Sequence, residues 1–161
     1  MQIKILAAGG TFDKVYYDAL SEYSIGEPMA DELMQMAGVS CTYSVHSVLR
    51  KDSLDMTDAD RQTLYAAITE DDCRHIVITH GTDTLVQTAM ALQDLSERTI
   101  VLTGAMQPAR FRDSDAAFNL GGAVALAQAL PAGIYIFMNG RVFHPERVVK
   151  NRAAGIFEEH P

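Results

Sequence analysis

Residues 75–85 read HIVITHGTDTL, and this stretch contains a strand, a polar turn and the start of a helix. His75–Thr79 is a short apolar run rich in β-branched residues, which is typical of a strand buried on both faces of a sheet. Beyond the turn, Leu85, Ala89 and Leu92 form an apolar stripe at helical spacing. A strand followed closely by a helix is the building unit of parallel α/β sheets.

Four further runs predict the other strands, and most of them are continuously apolar in the same way. They are residues 3–8, 42–49, 99–103 and 133–138. The run at 42–49 alternates between apolar and polar residues, which predicts an edge of the sheet. Helical segments separate the runs, so the sequence predicts a three-layer α/β/α sandwich with a mainly parallel, flavodoxin-like sheet.

The predicted helices have recognisable ends. Pro28 opens the first helix at a position where its missing N–H costs nothing, and Gly38 closes it. Thr57 caps the second helix, which has an apolar face. An alanine-rich fourth helix is predicted from residue 113 or 114 to about residue 130.

Two segments, residues 9–26 and 141–161, contain no predicted strand or helix. A connection of this length is well above the usual one between a strand and a helix, and such loops are commonly lids or binding loops. The first segment contains Tyr16, Tyr17 and Tyr23 together with several acids. We therefore expect it to be a lid.

Composition and charge exclude several classes of protein. The chain has 161 residues, of which 48% are hydrophobic and 21% charged, and this predicts one folded domain. Its formal net charge of −8 opposes nucleic-acid binding, because phosphates attract basic surfaces. The basic residues near the end are interspersed with apolar and acidic ones and favour a solvated face; they are Arg141, Arg147, Lys150 and Arg152.

The sequence also bears on location. Cys41 and Cys73 have neither the spacing of metal ligands nor that of a redox motif. The chain starts with an apolar, strand-like segment rather than a signal peptide, and no apolar stretch is long enough to cross a bilayer. We expect a cytoplasmic protein with reduced thiols and no membrane partner.

Glycine lies beside hydroxyl and carboxyl groups at two predicted strand ends. Gly10 and Thr11 follow the first strand, and Gly81, Thr82 and Asp83 follow the strand at 75–79. Glycine lets a ligand approach the backbone, and a threonine hydroxyl attacks once its proton is removed. The carboxyl ends of parallel strands share one edge, so Thr11 and Thr82 are expected in one crevice. The alternative is that these residues only form turns and cap helices.

His80 lies in the turn after the strand at 75–79, where it either belongs to the site or fixes the turn by hydrogen bonds.

Motifs for metal and nucleotide binding are absent from the sequence. The five histidines form no helical pair, and no Walker or GxGxxG sequence is present. No metal site and no organic cofactor are therefore expected.

Three strings resemble motifs of the bacterial-type L-asparaginase and glutaminase-asparaginase family. They are AAGGTFDK at 7–14, THGTDTL at 79–85 and LTGAMQP at 102–108. The resemblance covers the chain as a single N-terminal-type domain, residues 1–161, with residues 9–26 as the lid loop and without the C-terminal domain that family members normally add. It implies hydrolysis of L-asparagine to L-aspartate and ammonia by a threonine nucleophile.

The resemblance also implies residue roles. Thr11 is the nucleophile, and Tyr23 on the lid helps to move its proton. Thr82, Asp83 and Lys150 form a second cluster, in which Lys150 either activates or orients Thr82. Ser53 takes the α-carboxylate of the substrate and Asp83 its ammonium group. The implied substrate-binding residues are Gly10, Asp52, Ser53, Gly81 and Asp83.

The sequence leaves two other functions to consider. A non-catalytic or weakly active binding module for asparagine- or aspartate-like amino acids is the alternative, and a phosphate or nucleotide binder is disfavoured because the first turn lacks a phosphate-loop pattern. The presence of Thr11, Thr82 and Lys150 favours an enzyme. A homodimer or higher homo-oligomer is expected, since a domain without its usual partner exposes surface that longer members bury.

Overall fold

The chain alternates strands and helices along its length. In the computed structural model, which describes residues 1–17 and 19–160, the strands are β1 Gln2–Gly9, β2 Lys14–Tyr17, β3 Glu22–Ile25, β4 Thr42–Lys51, β5 His75–Thr79, β6 Thr99–Thr103, β7 Gly133–Met138, β8 Arg141–Phe143, β9 Val148–Asn151 and β10 Ile156–Glu159. The α-helices of this part of the chain are α1 Ala30–Met36, α2 Asp58–Thr69, α3 Leu85–Ala91 and α4 Ala116–Ala129.

Six of these strands form the central sheet in the order β4-β1-β5-β6-β7-β8. The first five are parallel to their neighbours, and β8 runs antiparallel to β7. Numbered along the chain, the five parallel strands have the order 2-1-3-4-5, which is that of flavodoxin-like sheets. All five predicted strands are present, and β4 lies at the edge that its alternation predicted.

Helices cover both faces of the sheet. On one face Leu64 and Ile68 of α2 pack with Leu85 of α3 against side chains of the central strands. On the other face, Met34 of α1 and Leu120 of α4 belong to a second buried cluster. Burial of this apolar surface from water on both faces is the main force that holds the layers together. The predicted three-layer α/β/α sandwich is confirmed.

The helix ends agree partly with the sequence. Thr57 caps α2 in a capping box with Asp60, and Gly38, with a φ of 62°, follows the end of α1. Helix α1 begins at Ala30, not at Pro28, and the Asp13 carboxylate accepts the N–H of its N-cap residue, Met29. Helix α4 likewise begins later than expected.

The expectation that residues 9–26 and 141–161 lack regular structure is wrong. Strands β2 and β3 form an antiparallel hairpin within the first segment, in which residue 18 lies outside the described residues. In the second, β8 extends the sheet and β9 pairs with β10. These strands have three or four residues each, too few for an apolar run to mark them. Residue 161 also lies outside the described residues.

Candidate active site

The candidate site lies where the strand order of the sheet reverses. Strands β1 and β5 are neighbours in the sheet although β4 separates them along the chain. In open α/β sheets the loops at such a point leave a crevice beyond the carboxyl ends of the strands. Thr11 follows β1 and Thr82 follows β5, so both are next to this crevice, as the sequence predicts.

Two glycines bring the turns after β1 and β5 into backbone contact. Gly10 has a φ of 75°, and a Cβ atom there would lie 2.2 Å from the Cα of Gly81. A Cβ atom on Gly81 would in turn lie 2.6 Å from the Oγ of Ser53. Only glycine allows approaches this close. The predicted binding residues Gly10, Gly81 and Ser53 therefore form one wall of the site.

Lys150 joins the second cluster that the resemblance implies. Its Nζ donates to Thr82 Oγ1 at 2.7 Å and to Asp83 Oδ1 at 2.9 Å. The Lys150 side chain is 15% exposed, and Thr82 is 5% exposed. Low exposure strengthens these charge-assisted hydrogen bonds. The structure thus brings Thr82, Asp83 and Lys150 together as predicted.

Within this wall, the Ser53 hydroxyl lies against Gly81. The residue is 1% exposed, and its Oγ has no hydrogen-bond partner in the described part of the chain. Its backbone is fixed, because the Thr84 hydroxyl donates to the Ser53 carbonyl at 2.8 Å. A buried polar atom without a partner is costly, and a ligand with a hydrogen-bonding group would satisfy it.

Asp52 lies beside Ser53 and is paired with Lys14. The ammonium of Lys14 lies 2.8 Å from Asp52 Oδ2, and the Leu54 N–H donates to Asp52 Oδ1 at 3.1 Å. Burial raises the pKa of Asp52, but the hydrogen bonds from Lys14 and Leu54 outweigh it, so that the pKa lies below its usual value. Asp52 is therefore ionised at neutral pH.

Thr11 and Tyr23 are not joined by a hydrogen bond among the residues described. Thr11 is half-buried in a short 3-10 turn after Gly10. Tyr23 lies on β3 and is 53% exposed, with its ring 5.1 Å from that of Tyr16 and 6.5 Å from that of Phe111. Tyr16 and Tyr23 of the predicted lid thus form an exposed aromatic pair on the hairpin, with Phe111 beside it.

His80 has a structural position. It is fully buried, with Nδ1 2.7 Å from the Gly81 carbonyl oxygen and Nε2 2.8 Å from the Thr88 hydroxyl. Burial lowers the pKa of His80 to about 4, so the ring is neutral at physiological pH. These contacts support the role of fixing the turn. Among the described residues, no three His, Cys, Asp or Glu side chains are grouped to hold a metal ion.

Two charged residues at the site were missed by the sequence reasoning. Asp13, two residues after Thr11, is 1% exposed, and its carboxylate accepts the Met29 N–H at 2.9 Å. Burial raises the pKa of Asp13 to about 7. Arg152 lies with its Nε 3.5 Å from Asp83 Oδ1 while its side chain stays 67% exposed, as the expected solvated face requires. No local pattern marks either residue, because both contacts depend on how distant segments pack.

The chain is similar to several L-asparaginases. It is 32% identical to the L-asparaginase of Thermococcus kodakarensis, over 97% of this chain and 49% of the relative. The solved structure of that enzyme superposes with a TM-score of 0.87 at 30% identity, over 100% of this chain and 52% of the other. A probable cytoplasmic L-asparaginase from Campylobacter jejuni gives a TM-score of 0.82 at 29% identity, over 98% and 52% of the two chains.

A periplasmic relative is similar at the same level. The probable periplasmic L-asparaginase of Haemophilus influenzae is 32% identical, over 98% of this chain and 48% of the relative. The chain thus spans about half the length of the curated relatives it matches. The model of the family's N-terminal asparaginase domain matches residues 2–157. The resemblance drawn from the three sequence strings is therefore confirmed, and this chain belongs to the asparaginase family.

Proposed function

We propose that this chain hydrolyses L-asparagine to L-aspartate and ammonia with a threonine nucleophile. The observation that carries the proposal is the Lys150 ammonium, which contacts both Thr82 Oγ1 and Asp83 Oδ1 beside the crevice that Thr11 also borders. The similarity to L-asparaginases over nearly the whole chain supports the choice of substrate. Glutamine is expected to be a poorer substrate.

In the proposed reaction the Thr11 hydroxyl attacks the side-chain amide carbon of the substrate. Tyr23 relays the hydroxyl proton: its phenol oxygen takes the Thr11 proton while its own O–H proton passes on to the amide nitrogen. Tyr23 must approach as the β2–β3 hairpin closes, since no hydrogen bond of the described residues joins it to Thr11. The C–N bond breaks and ammonia leaves with a proton, and water then hydrolyses the acyl ester. On the opposite side of the crevice, Lys150 either takes a proton from Thr82 or orients Thr82 and stabilises negative charge on the substrate.

The same wall supplies the proposed substrate contacts. The free hydroxyl of Ser53 donates to the substrate's α-carboxylate, and the Asp83 carboxylate faces its ammonium group. The Gly10 N–H is already bonded to the Lys51 carbonyl at 2.8 Å. Stabilisation of the oxyanion therefore requires other N–H groups of the two turns, with Lys150 as the nearby cation.

The test is ammonia release from L-asparagine and L-glutamine by the purified chain. Thr11→Ala and Thr82→Val are each expected to reduce turnover at least about a hundredfold, because each removes a hydroxyl from the reacting groups. Thr63→Val is the matched control, since Thr63 is exposed on α2 and its hydroxyl bonds only to the Ala59 carbonyl. Circular dichroism verifies that all variants are folded.

The outcomes separate the function classes. Turnover by the chain of residues 1–161, lost in both site variants, would support the hydrolase and our proposal that this domain suffices for the reaction. Absence of turnover with calorimetric binding of L-aspartate would contradict the proposal and indicate a binding module. Equal turnover in Thr11→Ala and in the unmodified chain would refute Thr11 as the nucleophile.

We further propose that the chain forms a homodimer or a higher homo-oligomer. Large apolar side chains are exposed near the site, including Tyr16, Tyr23 and Phe111 at 46%, 53% and 42%. Such clustered exposure on a folded domain favours an interface. Sedimentation velocity at micromolar concentration is expected to show a species of at least twice the chain mass, and a stable monomer would contradict this.

The proposed location is the cytoplasm. Cys41 and Cys73 are both free thiols, which suits a reducing compartment. No helix in the described part of the chain is long and apolar enough to cross a membrane. Fractionation of the source cells, with detection by an antibody, is expected to recover the protein with cytoplasmic markers, whereas recovery with periplasmic markers would contradict the proposal.

A further inference from the structure

The Asp83 carboxylate lies between two cations of the β9–β10 hairpin. Lys150 Nζ is 2.9 Å and Arg152 Nε is 3.5 Å from the same oxygen, Oδ1. Lys150 belongs to β9, and Arg152 comes directly after this strand. Arg152 begins the turn between β9 and β10, and this places its side chain near Asp83 as well. One negative charge thus meets two positive charges.

The other carboxylate at this site is also neutralised. Asp52 is paired with Lys14 at 2.8 Å, next to the Ser53 hydroxyl that lacks a partner. The ion pairs beside Ser53 and Thr82 thus include two carboxylates and three cations. They are Asp52, Asp83, Lys14, Lys150 and Arg152.

This balance affects the two charged groups of an amino-acid substrate differently. A substrate carboxylate is attracted by these three cations, and it can accept a hydrogen bond from the Ser53 hydroxyl, which has no partner among the described residues. An ammonium group must approach Asp83 against the repulsion of Arg152, which lies on the same carboxylate. Arg152 therefore weakens binding of the ammonium group while leaving the carboxylate contact in place.

We propose that Arg152 determines substrate specificity by sharing Asp83 with Lys150. Besides L-asparagine, the site then hydrolyses ω-amides that carry a carboxylate but no α-ammonium group. This rests on the proposed amide hydrolysis. The simplest such substrate is succinamate, which is L-asparagine with hydrogen in place of the amino group. Thr11 attacks the amide carbon, the C–N bond breaks with release of ammonia, and water hydrolyses the acyl ester to give succinate and restore Thr11.

The experiment compares kcat/KM for L-asparagine and for succinamate in the unmodified chain and in Arg152→Gln. Arg141→Gln is the matched control, because it removes the same charge from an exposed arginine that pairs with Glu159 at 3.6 Å instead of Asp83. The unmodified chain is expected to release ammonia from both substrates. Since Arg152 is 67% exposed, the ratio of asparagine to succinamate efficiency is expected to rise about two- to fivefold in Arg152→Gln and to stay unchanged in the control.

Two kinetic results would overturn the inference while leaving the proposed function intact. One is ammonia release from L-asparagine but none from succinamate, and the other is the same efficiency ratio in Arg152→Gln and in the unmodified chain. Calorimetric binding of the products, L-aspartate and succinate, repeats the comparison without turnover, and an unchanged affinity ratio there would also overturn it. Release of ammonia from neither substrate would refute the proposed function, and the product affinities would then decide on Arg152 separately.

Discussion

Replacement of Asp13 by Asn should change how the stability of the protein depends on pH. The Asp13 carboxyl is buried two residues after the candidate nucleophile, and the hydrogen bond that it accepts from the Met29 N–H is one that an Asn side-chain oxygen also accepts. The variant therefore removes the ionisation of the side chain and keeps its size and this contact. Arg110 and Arg50 are the charged groups whose fields favour the ionised form, but burial outweighs them.

The expected magnitude follows from the pKa of Asp13. Burial raises this pKa from its ordinary value of 3.8 to about 7. One pKa unit corresponds to about 1.4 kcal/mol, so ionised Asp13 lowers the free energy of unfolding by about 4 kcal/mol. Below pH 3.8 the carboxyl is protonated in both the folded and the unfolded chain, and this loss is absent. The loss develops as the pH rises and is complete above pH 7.

His80 acts in the opposite direction over a similar range. Burial lowers its pKa from 6.5 to about 4, so its contribution to stability is lost as the pH falls through this interval. The two effects oppose each other in the unmodified chain. His80 is present in both proteins, and its effect cancels in the difference between Asp13→Asn and the unmodified chain.

The assay is urea unfolding of both proteins from about pH 4 to about pH 8, followed by far-ultraviolet circular dichroism because the chain has no tryptophan. The free energy of unfolding of Asp13→Asn, minus that of the unmodified chain, is expected to rise by about 4 kcal/mol across this range. Asp72→Asn, at an exposed position, is the control and should give a constant difference. A constant difference for Asp13→Asn as well would refute the buried, strongly shifted carboxyl.

Three further perturbations test the fold and the site. Gly81→Ala should lower the free energy of unfolding by about 1–3 kcal/mol, because its Cβ atom would lie 2.6 Å from Ser53 Oγ. Gly121→Ala in α4, where a Cβ atom would have nothing within 4 Å, should raise it by about 0.5–1 kcal/mol. Equal effects of the two variants in urea unfolding would contradict the close contact at Gly81. Lys150→Met should lower the rate of ammonia release at least about a hundredfold with little change in KM, and a normal rate would exclude Lys150 from the chemistry. Thr57→Ala removes one half of the capping box of α2 and should cost about 1 kcal/mol, a loss that thermal or urea unfolding detects.

The sequence predicted the sheet well because its strands are continuous apolar runs. Strands β5 and β6 have the predicted bounds, and the edge position of β4 followed from its alternation. The hairpins β2–β3 and β9–β10 could not be predicted in this way. Their strands have four residues each, and pairing with a neighbouring strand rather than an apolar pattern determines them.

The candidate site was predictable in part. Parallel-sheet topology places Thr11 and Thr82 at neighbouring strand ends, and this followed from the residues alone. The contact of Lys150 with Asp83, 67 residues away in sequence, was available only through the family resemblance. The burial of Asp13 and the position of Arg152 depend on packing between distant segments, for which a single sequence has no periodic signal.

The contact of Gly10, Gly81 and Ser53 has a consequence for the cost of binding. Two of these three residues have no side chain, so the wall consists mainly of backbone atoms that the neighbouring strands hold in place. A backbone wall has no rotamers to lose when a ligand docks, whereas immobilising a long side chain costs about 0.5–1.5 kcal/mol. Little conformational entropy is therefore lost on this side of the crevice, and the ordering cost of binding falls mainly on long, exposed side chains nearby, such as Arg152.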